Sequence, residues 1–252
     1  QSKPFFIYHS FYTVHTPTQG DDQFDDYFAE KAKAIKDPEA TRKEHGGVTR
    51  IVQGNNKYAA MVRSMNQAVG RKLDELDKLG IAEDTLVIFT SDNGGLSTKP
   101  KLTSTANEPY RAGKGWCYEG GIRVPLMIRA PGKTQPGSIN KIPAISMDLF
   151  PTILDYAGLP LQPKIHNDGV SLLSNAAKER DTLIWHYPHY HGSTWKPGAA
   201  LRKGDWKIVE HYETGVIELY NLTDDPSETK DLAKVQPEKL KQLHKELRAH
   251  QK

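Results

Sequence analysis

A nearly unbroken apolar and β-branched run, Thr85-Leu86-Val87-Ile88-Phe89-Thr90, stops abruptly at Ser91-Asp92-Asn93-Gly94-Gly95. A run of this length and composition predicts a strand buried on both faces of an α/β sheet. The two glycines permit backbone angles that other residues avoid. Ligands of open α/β sheets bind just beyond the carboxyl ends of strands, which is where Asp92 and Asn93 fall. A carboxylate beside an amide carbonyl is a pair of hard oxygens suited to Ca²⁺ or Mg²⁺. Asp-Asn-Gly-Gly is equally ordinary turn chemistry, so these residues alone leave a metal site and a plain turn both open. Upstream, Tyr58, Met61, Val62, Met65, Ala68, Val69, Leu73, Leu76 and Leu79 recur at steps of three and four. That spacing predicts a helix over 57–79 with one apolar stripe, closed by Gly80. Helix, glycine turn and strand form the α-to-β half of a crossover unit and set the fold class as α/β.

The flanking segments fill out that plan. Phe5 to Phe11 is aromatic-rich and predicts a first strand, followed by His15 before Thr16-Pro17. Residues 20–54 are strongly charged and read as a solvated loop with a short surface helix. Val124 to Ala130 predicts a second buried strand, and Ser146 is placed to cap a helix from Met147 to Ala157, ended by Gly158. Beyond Gly169 the pattern changes to short strands at Thr182–Tyr187, Ala199–Lys203, Trp206–Tyr212 and Val216–Tyr220. Gly204-Asp205 and Thr214-Gly215 suit hairpin turns between them. Pro237 then opens a helix with Leu240, Leu243 and Leu247 on one face. The expected organisation is an α/β domain over 1–175 and a small antiparallel α+β subdomain over 176–252. At 252 residues the chain can bury a core of that extent. Its 34 basic and 31 acidic residues, net +3, are too balanced to indicate nucleic-acid binding. No apolar run approaches the ~20 residues of a membrane helix. The single cysteine, Cys117, excludes an internal disulfide.

Three linked motifs give the stretch around Asp92 a sharper meaning. Thr90-Ser91-Asp92-Asn93-Gly94-Gly95, then Gly113-Lys114-Gly115, then Tyr118-Glu119-Gly120-Gly121-Ile122-Arg123-Val124-Pro125 occur in that order. Together they resemble the sulfatase family of the alkaline-phosphatase-like superfamily. Pro4-Phe5-Phe6-Ile7-Tyr8 with His15-Thr16-Pro17, the Ser146–Leu154 helix, and Glu218-Leu219-Tyr220-Asn221-Leu222 followed by Asp224-Asp225-Pro226 extend the resemblance over almost the whole chain. The resemblance implies part of an alkaline-phosphatase-like sheet flanked by helices, with the C-terminal antiparallel subdomain that the family carries. It implies that Asp92 and Asn93 are ligands of a divalent cation, usually calcium, and that Lys114 and His15 contact the sulfate group. By themselves His15 reads as a loop histidine and Lys114, set between two glycines, as an ammonium able to reach a closely approaching ligand.

The segment Trp185-His186-Tyr187-Pro188-His189-Tyr190-His191-Gly192 concentrates imidazoles and phenols. Zinc is the weaker reading, because no Cys or acidic partner lies near in sequence. A substrate-facing loop suited to sugar rings, using His186, His189, His191 and Arg202, stands beside an exposed loop and a solvated hairpin arginine. The sulfatase nucleophile is a formylglycine made within a Cys/Ser-x-Pro/Ala-x-Arg motif. Cys117-Tyr118-Glu119-Gly120-Gly121 lacks it and no serine completes it, so Cys117 reads as a small structural residue.

The family's N-terminal half supplies that nucleophile, two further aspartate ligands and additional sulfate contacts. Calcium takes about six to eight oxygens, of which Asp92 and Asn93 offer about three. The expectation is therefore a sulfate ester hydrolase acting on a sulfated sugar, polysaccharide or aryl sulfate. This chain would supply part of the metal and sulfate site and would be inactive alone, with the N-terminal half a candidate separate partner chain. Two alternatives remain open: a phosphatase or phosphonate hydrolase of the same superfamily, and a non-catalytic truncated homologue that binds sulfated glycans. Neither nucleic acid nor membrane is an expected partner. The resemblance implies a periplasmic or secreted location.

Overall fold

A computed structural model describes residues 3–99 and 104–251. The chain divides into two compact units, Gln1–Ala40 with Val52–Ala82, and Thr41–Ile51 with Glu83–Lys252.

The first unit is a helix pair. Helix α1 (Asp22–Ala32) begins at Asp21, whose carboxylate accepts from the Gln23 amide at 3.1 Å. The same side chain accepts from Ser64 Oγ at 2.5 Å, tying α1 to the longer α2 (Asn56–Lys78). Asn55 caps α2 by accepting from the Tyr58 amide at 3.0 Å, and Gly80 follows in a left-handed conformation (φ 67°). The predicted stripe is only partly covered: Ala60 and Met61 are buried, while Val62 and Leu79 remain exposed. The expected strand at Phe5–Phe11 does not form. A strand needs a hydrogen-bonding neighbour, none pairs with this segment among the described residues, and Phe6, Ile7 and Tyr8 are exposed.

The second unit begins with a hairpin, β1 (Thr41–Glu44) and β2 (Gly47–Arg50), inside the region read as loop and helix. Strand β3 (Val87–Thr90) pairs antiparallel with β4 (Leu126–Arg129), Val87 opposite Arg129 and Thr90 opposite Leu126. With one neighbour each, the two are half-buried, not covered on both faces, and Met127 is exposed. The one-turn helix α3 (Glu119–Ile122) lies between them in sequence. Helix α4 (Leu149–Tyr156) follows a 3₁₀ turn at Ser146–Asp148. Asp148, not Ser146, occupies the N-cap position of α4, with no side-chain bond to the helix amides. Its fully buried carboxylate accepts from the Ile145 and Val170 amides, both at 2.9 Å, and from Arg180 through two bonds of 2.6 Å.

The C-terminal sheet runs β5 (Thr182–Tyr187), β6 (Gly198–Lys203), β7 (Trp206–His211) and β8 (Val216–Asn221) in sequence order, all antiparallel. Gly204 (φ 55°) and Gly215 (φ 67°) occupy the predicted turns, where a left-handed residue matches strand twist. Alternation along each strand splits the side chains between two cores. Ala199, Leu201, Ile208 and Leu219 meet Leu243 and Leu247 of helix α5 (Pro237–His250). On the other face, Ala200, Val209 and Tyr220 pack with Trp116, Cys117, Tyr118 and Trp195. This second core fixes the 111–121 segment, and with it Lys114, against the sheet.

Candidate active site

Asp92 and Asn93 stand at the carboxyl end of β3, Asp92 exposed and Asn93 half-buried. Ser91 Oγ donates to the Asn93 carbonyl at 3.0 Å, and the Asn93 amide nitrogen donates to the Asp92 carboxylate. The Asn93 amide oxygen and the other Asp92 carboxylate oxygen, which Ser91 Oγ approaches at 3.5 Å, are the hard donors at the strand end. The donor chemistry fits calcium or magnesium, though two side chains make only part of a calcium shell.

Two glycine segments then interlock. The Gly94 amide donates to the Gly121 carbonyl at 3.0 Å, and the Lys114 amide donates to the Gly95 carbonyl at 3.0 Å. Asn107 bridges them, accepting from the Gly95 amide at 3.0 Å and donating to the Gly95 and Ala112 carbonyls at 2.9 Å each. A Cβ on Gly94 would lie 1.7 Å from the Gly120 carbonyl oxygen, and one on Gly113 would lie 2.3 Å from that of Gly95. Only glycine allows backbones this close. Asp92, Asn93 and Lys114 are thereby brought into one neighbourhood.

His191 joins them. A Cβ on Gly115 would meet its Nδ1 at 2.1 Å, so the imidazole lies directly against the Gly-Lys-Gly turn. His191 Nδ1 is 2.7 Å from Ser193 Oγ, and Trp116 Nε1 donates to the Ser193 carbonyl at 2.8 Å. Partial burial, reinforced by the charges of Lys114 and Lys99, holds His191 below its ordinary pKa. A neutral imidazole beside two ammonium groups is an arrangement that favours an anion. Lys99 was not anticipated from the sequence, since it belongs to no motif and only its charge on His191 identifies it.

The other predicted residues lie on other segments of the chain. His15 belongs to the first unit, in a turn where its amide donates to the Tyr12 carbonyl at 2.9 Å and its Nδ1 lies 2.7 Å from the Thr16 carbonyl. His189 is exposed with its ring 5.9 Å from Tyr187, whose ring is also 6.2 Å from His191. His186 is not grouped with them: it pairs with Ala199, and strand alternation turns it to the α5 face, 6.1 Å from Tyr212. Arg202 donates to the Gly204 carbonyl at 3.1 Å, in the hairpin role that was its default reading. Cys117 is buried and its thiol is pushed up to about 12 by that burial, against the pull of Lys207, so it is no nucleophile.

The sulfatase family profile matches residues 1–159, and the profile of the N-sulphoglucosamine sulphohydrolase C-terminal region matches residues 111–252. The chain belongs to the sulfatase family. It is 35% identical over 256 residues to a sulfatase of Formosa agariphila, covering 93% of this chain and 43% of that protein. Human arylsulfatase A is 31% identical, with coverage of 90% and 39%. The structure superposes on Ps i-CgsB in complex with k-i-k-neocarrahexaose at a TM-score of 0.75 and 27% identity, covering 99% of this chain and 50% of that one. The alkaline-phosphatase-like α/β fold and the antiparallel C-terminal subdomain of this sulfatase-family chain are thus shared with solved sulfatases. The chain spans about two-fifths to one-half of the length of these relatives. Among the described residues, no helix is long and apolar enough to cross a membrane.

Proposed function

We propose that the chain forms the later part of a sulfate ester hydrolase acting on sulfated carbohydrate, and that it supplies one wall of the metal and sulfate site. The observation that supports this reading is the backbone interlock of Asp92-Asn93-Gly94-Gly95 with Gly113-Lys114-Gly115, which ties the strand end that carries the oxygen pair to the turn that carries Lys114. In this reading Asp92 and Asn93 hold part of the shell of a calcium ion, which would polarise sulfate oxygens when bound. Lys114 and Lys99 attract the sulfate electrostatically, and Lys114 offsets charge developing on the leaving oxygen. His191, held neutral, can hydrogen-bond an anion or a sugar hydroxyl, and His189 with Tyr187 offers ring surface beside it. The carbohydrate class is supported by Ps i-CgsB in complex with k-i-k-neocarrahexaose and by BT4656 in complex with its substrate D-glucosamine-2-N,6-O-disulfate.

The formylglycine nucleophile and the remaining calcium ligands belong to the family's N-terminal half, so the 252-residue chain is inactive alone in this reading. The division at 1–175 and 176–252 and a periplasmic or secreted location form part of the same proposal. Titration with inorganic sulfate in the presence of calcium tests it. Lys114→Ala should weaken sulfate binding at least tenfold, and Asp92→Asn should abolish the calcium dependence. Equal sulfate affinity in wild type and Lys114→Ala would overturn the site. Turnover of an aryl sulfate by the isolated chain would overturn the account of the nucleophile. A preference for phosphate over sulfate would favour the phosphatase alternative.

A further inference from the structure

A second cluster lies behind the wall that carries Lys114, at the tip of the β1–β2 hairpin. His45 occupies that tip, His211 ends β7 and Glu218 lies on β8, diagonal to His211 on the same sheet face. His45 Nε2 is 2.6 Å from Glu218 Oε1, and His211 Nε2 is 3.7 Å from Glu218 Oε2. The two imidazole rings are tilted against each other with centroids 4.2 Å apart. One ligand atom from each residue can be chosen so that all lie within 4.8 Å of one another.

We propose that His45, His211 and Glu218 bind a single divalent transition-metal ion, zinc in preference to calcium, separate from the Asp92–Asn93 oxygen pair. Two imidazoles and one carboxylate, with a fourth position left for water, is a recurrent zinc ligand set, and calcium prefers an all-oxygen shell. Zinc bonds of about 2.0–2.2 Å place tetrahedral ligand atoms roughly 3.3 Å apart. The two distances above run to different Glu218 oxygens, and one ligand atom from each residue lies within 4.8 Å of the others, so side-chain rotation would have to draw the set together around the ion.

The surroundings match what a metal ligand needs. Tyr118 OH donates to Glu218 Oε2 at 2.5 Å and orients the carboxylate, and the Trp195 ring walls the site 5.5 Å from His211. Arg111 comes within 3.8 Å of Glu218 but lies closer to Glu44, at 2.8 Å, and Glu44 is also approached by Arg42 at 3.4 Å. Glu218 and His211 are buried, whereas the His45 side chain is 35% exposed and gives the ion a path from solvent. The bound ion would clamp the hairpin to the C-terminal sheet, adding to the packing of Gly46 and Gly47 against Thr194.

Zinc titration of the purified chain by calorimetry, with excess calcium present, tests the site. One zinc per chain is expected, with a rise in Tm that a chelator reverses, and Co²⁺ should give the visible absorption of a four-coordinate centre. His45→Ala, at a partly exposed hairpin tip, should remove stoichiometric binding while the chain still folds. Glu218→Gln should do the same, and His189→Ala should leave binding unchanged. Absence of stoichiometric zinc, or equal zinc affinity in wild type and His45→Ala, would overturn the proposal and leave these residues as a closed hydrogen-bonded network.

Discussion

Lys207→Met is the substitution for which the structure sets the sharpest expectation. Lys207 has no exposed surface, and its ammonium lies 2.9 Å from Glu119 and 2.8 Å from Glu228, themselves 2% and 0% exposed. Burial works to lower the lysine pKa, but Glu228 and Glu119 outweigh it and raise it. At an effective dielectric constant of ~20, each contact represents about 6 kcal/mol of gross attraction, much of which offsets desolvation. Removing the ammonium leaves Glu228 buried without a counter-charge and Glu119 with only Arg123 at 3.5 Å, a loss of about 3–5 kcal/mol. At ~2–4 °C per kcal/mol for a chain of this size, Tm should fall by roughly 6–20 °C. The penalty should shrink as pH falls, because protonation neutralises the stranded carboxylates. Adding Glu119→Gln and Glu228→Gln to Lys207→Met should recover most of the loss. Urea unfolding at pH 8 and pH 5 measures all three effects. A loss below ~1 kcal/mol at pH 8, or one that does not change with pH, would refute the reasoning.

Glu228 is raised from 4.5 to about 7 by burial, with Lys207 opposing. Its folded form holds the proton more tightly than the unfolded form, so stability from this group falls as pH rises from about 4.5 to about 7. Glu228→Gln should flatten that fall by on the order of 1–3 kcal/mol, read from urea midpoints across the same window. Gly94→Ala drives a methyl group to 1.7 Å from the Gly120 carbonyl oxygen and should cost on the order of 1–3 kcal/mol. Sulfate affinity should fall with it, and an unchanged Tm would contradict the interlock. Arg180→Ala strips both 2.6 Å bonds from the buried Asp148 carboxylate and should cost about 3–5 kcal/mol by thermal unfolding.

The C-terminal sheet was legible because its strands alternate and its turns carry glycine exactly where φ is positive. The features that escaped are those made by contacts between residues far apart in sequence. Thr41-Arg42-Lys43-Glu44 is polar, with three charges in a row, and carries no apolar alternation, so nothing local marks β1. The hairpin is held at its tip instead, by Glu44 on Arg111 and His45 on Glu218. Lys207 and Glu210 carry charges that a strand ordinarily turns to solvent, yet they lie on opposite faces of a sheet covered on both sides, and each finds an ionic partner on its own side. The Asp92 strand end and the Gly-Lys-Gly turn were legible from their motifs. Their interlock was not, because it runs through backbone groups. The misread Phe5–Phe11 segment shows the converse error: β propensity without a pairing edge does not make a strand.

The interlock and the buried ionic groups serve the same end. A sulfate site needs its ammonium held in place before the anion arrives, since ordering a free lysine on binding costs affinity. Lys114 lies in a turn whose flanks are fixed on both sides. Upstream, Arg111 donates to Glu44 at 2.8 Å and to Tyr220 OH at 2.9 Å. Downstream, Trp116 bonds the Ser193 carbonyl, Tyr118 bonds Glu218, and Glu119 bonds Lys207. These anchors draw on the hairpin, the His191 loop and two strands of the C-terminal sheet, β7 and β8. The antiparallel subdomain therefore acts as the frame that sets where the Gly-Lys-Gly turn meets the end of β3. On the proposed sulfate reading, this gives a physical reason for the Gly-Lys-Gly turn and this sheet to occur in one continuous piece of chain: separating them would leave the glycine turn, with its permissive backbone, without the contacts that define its shape.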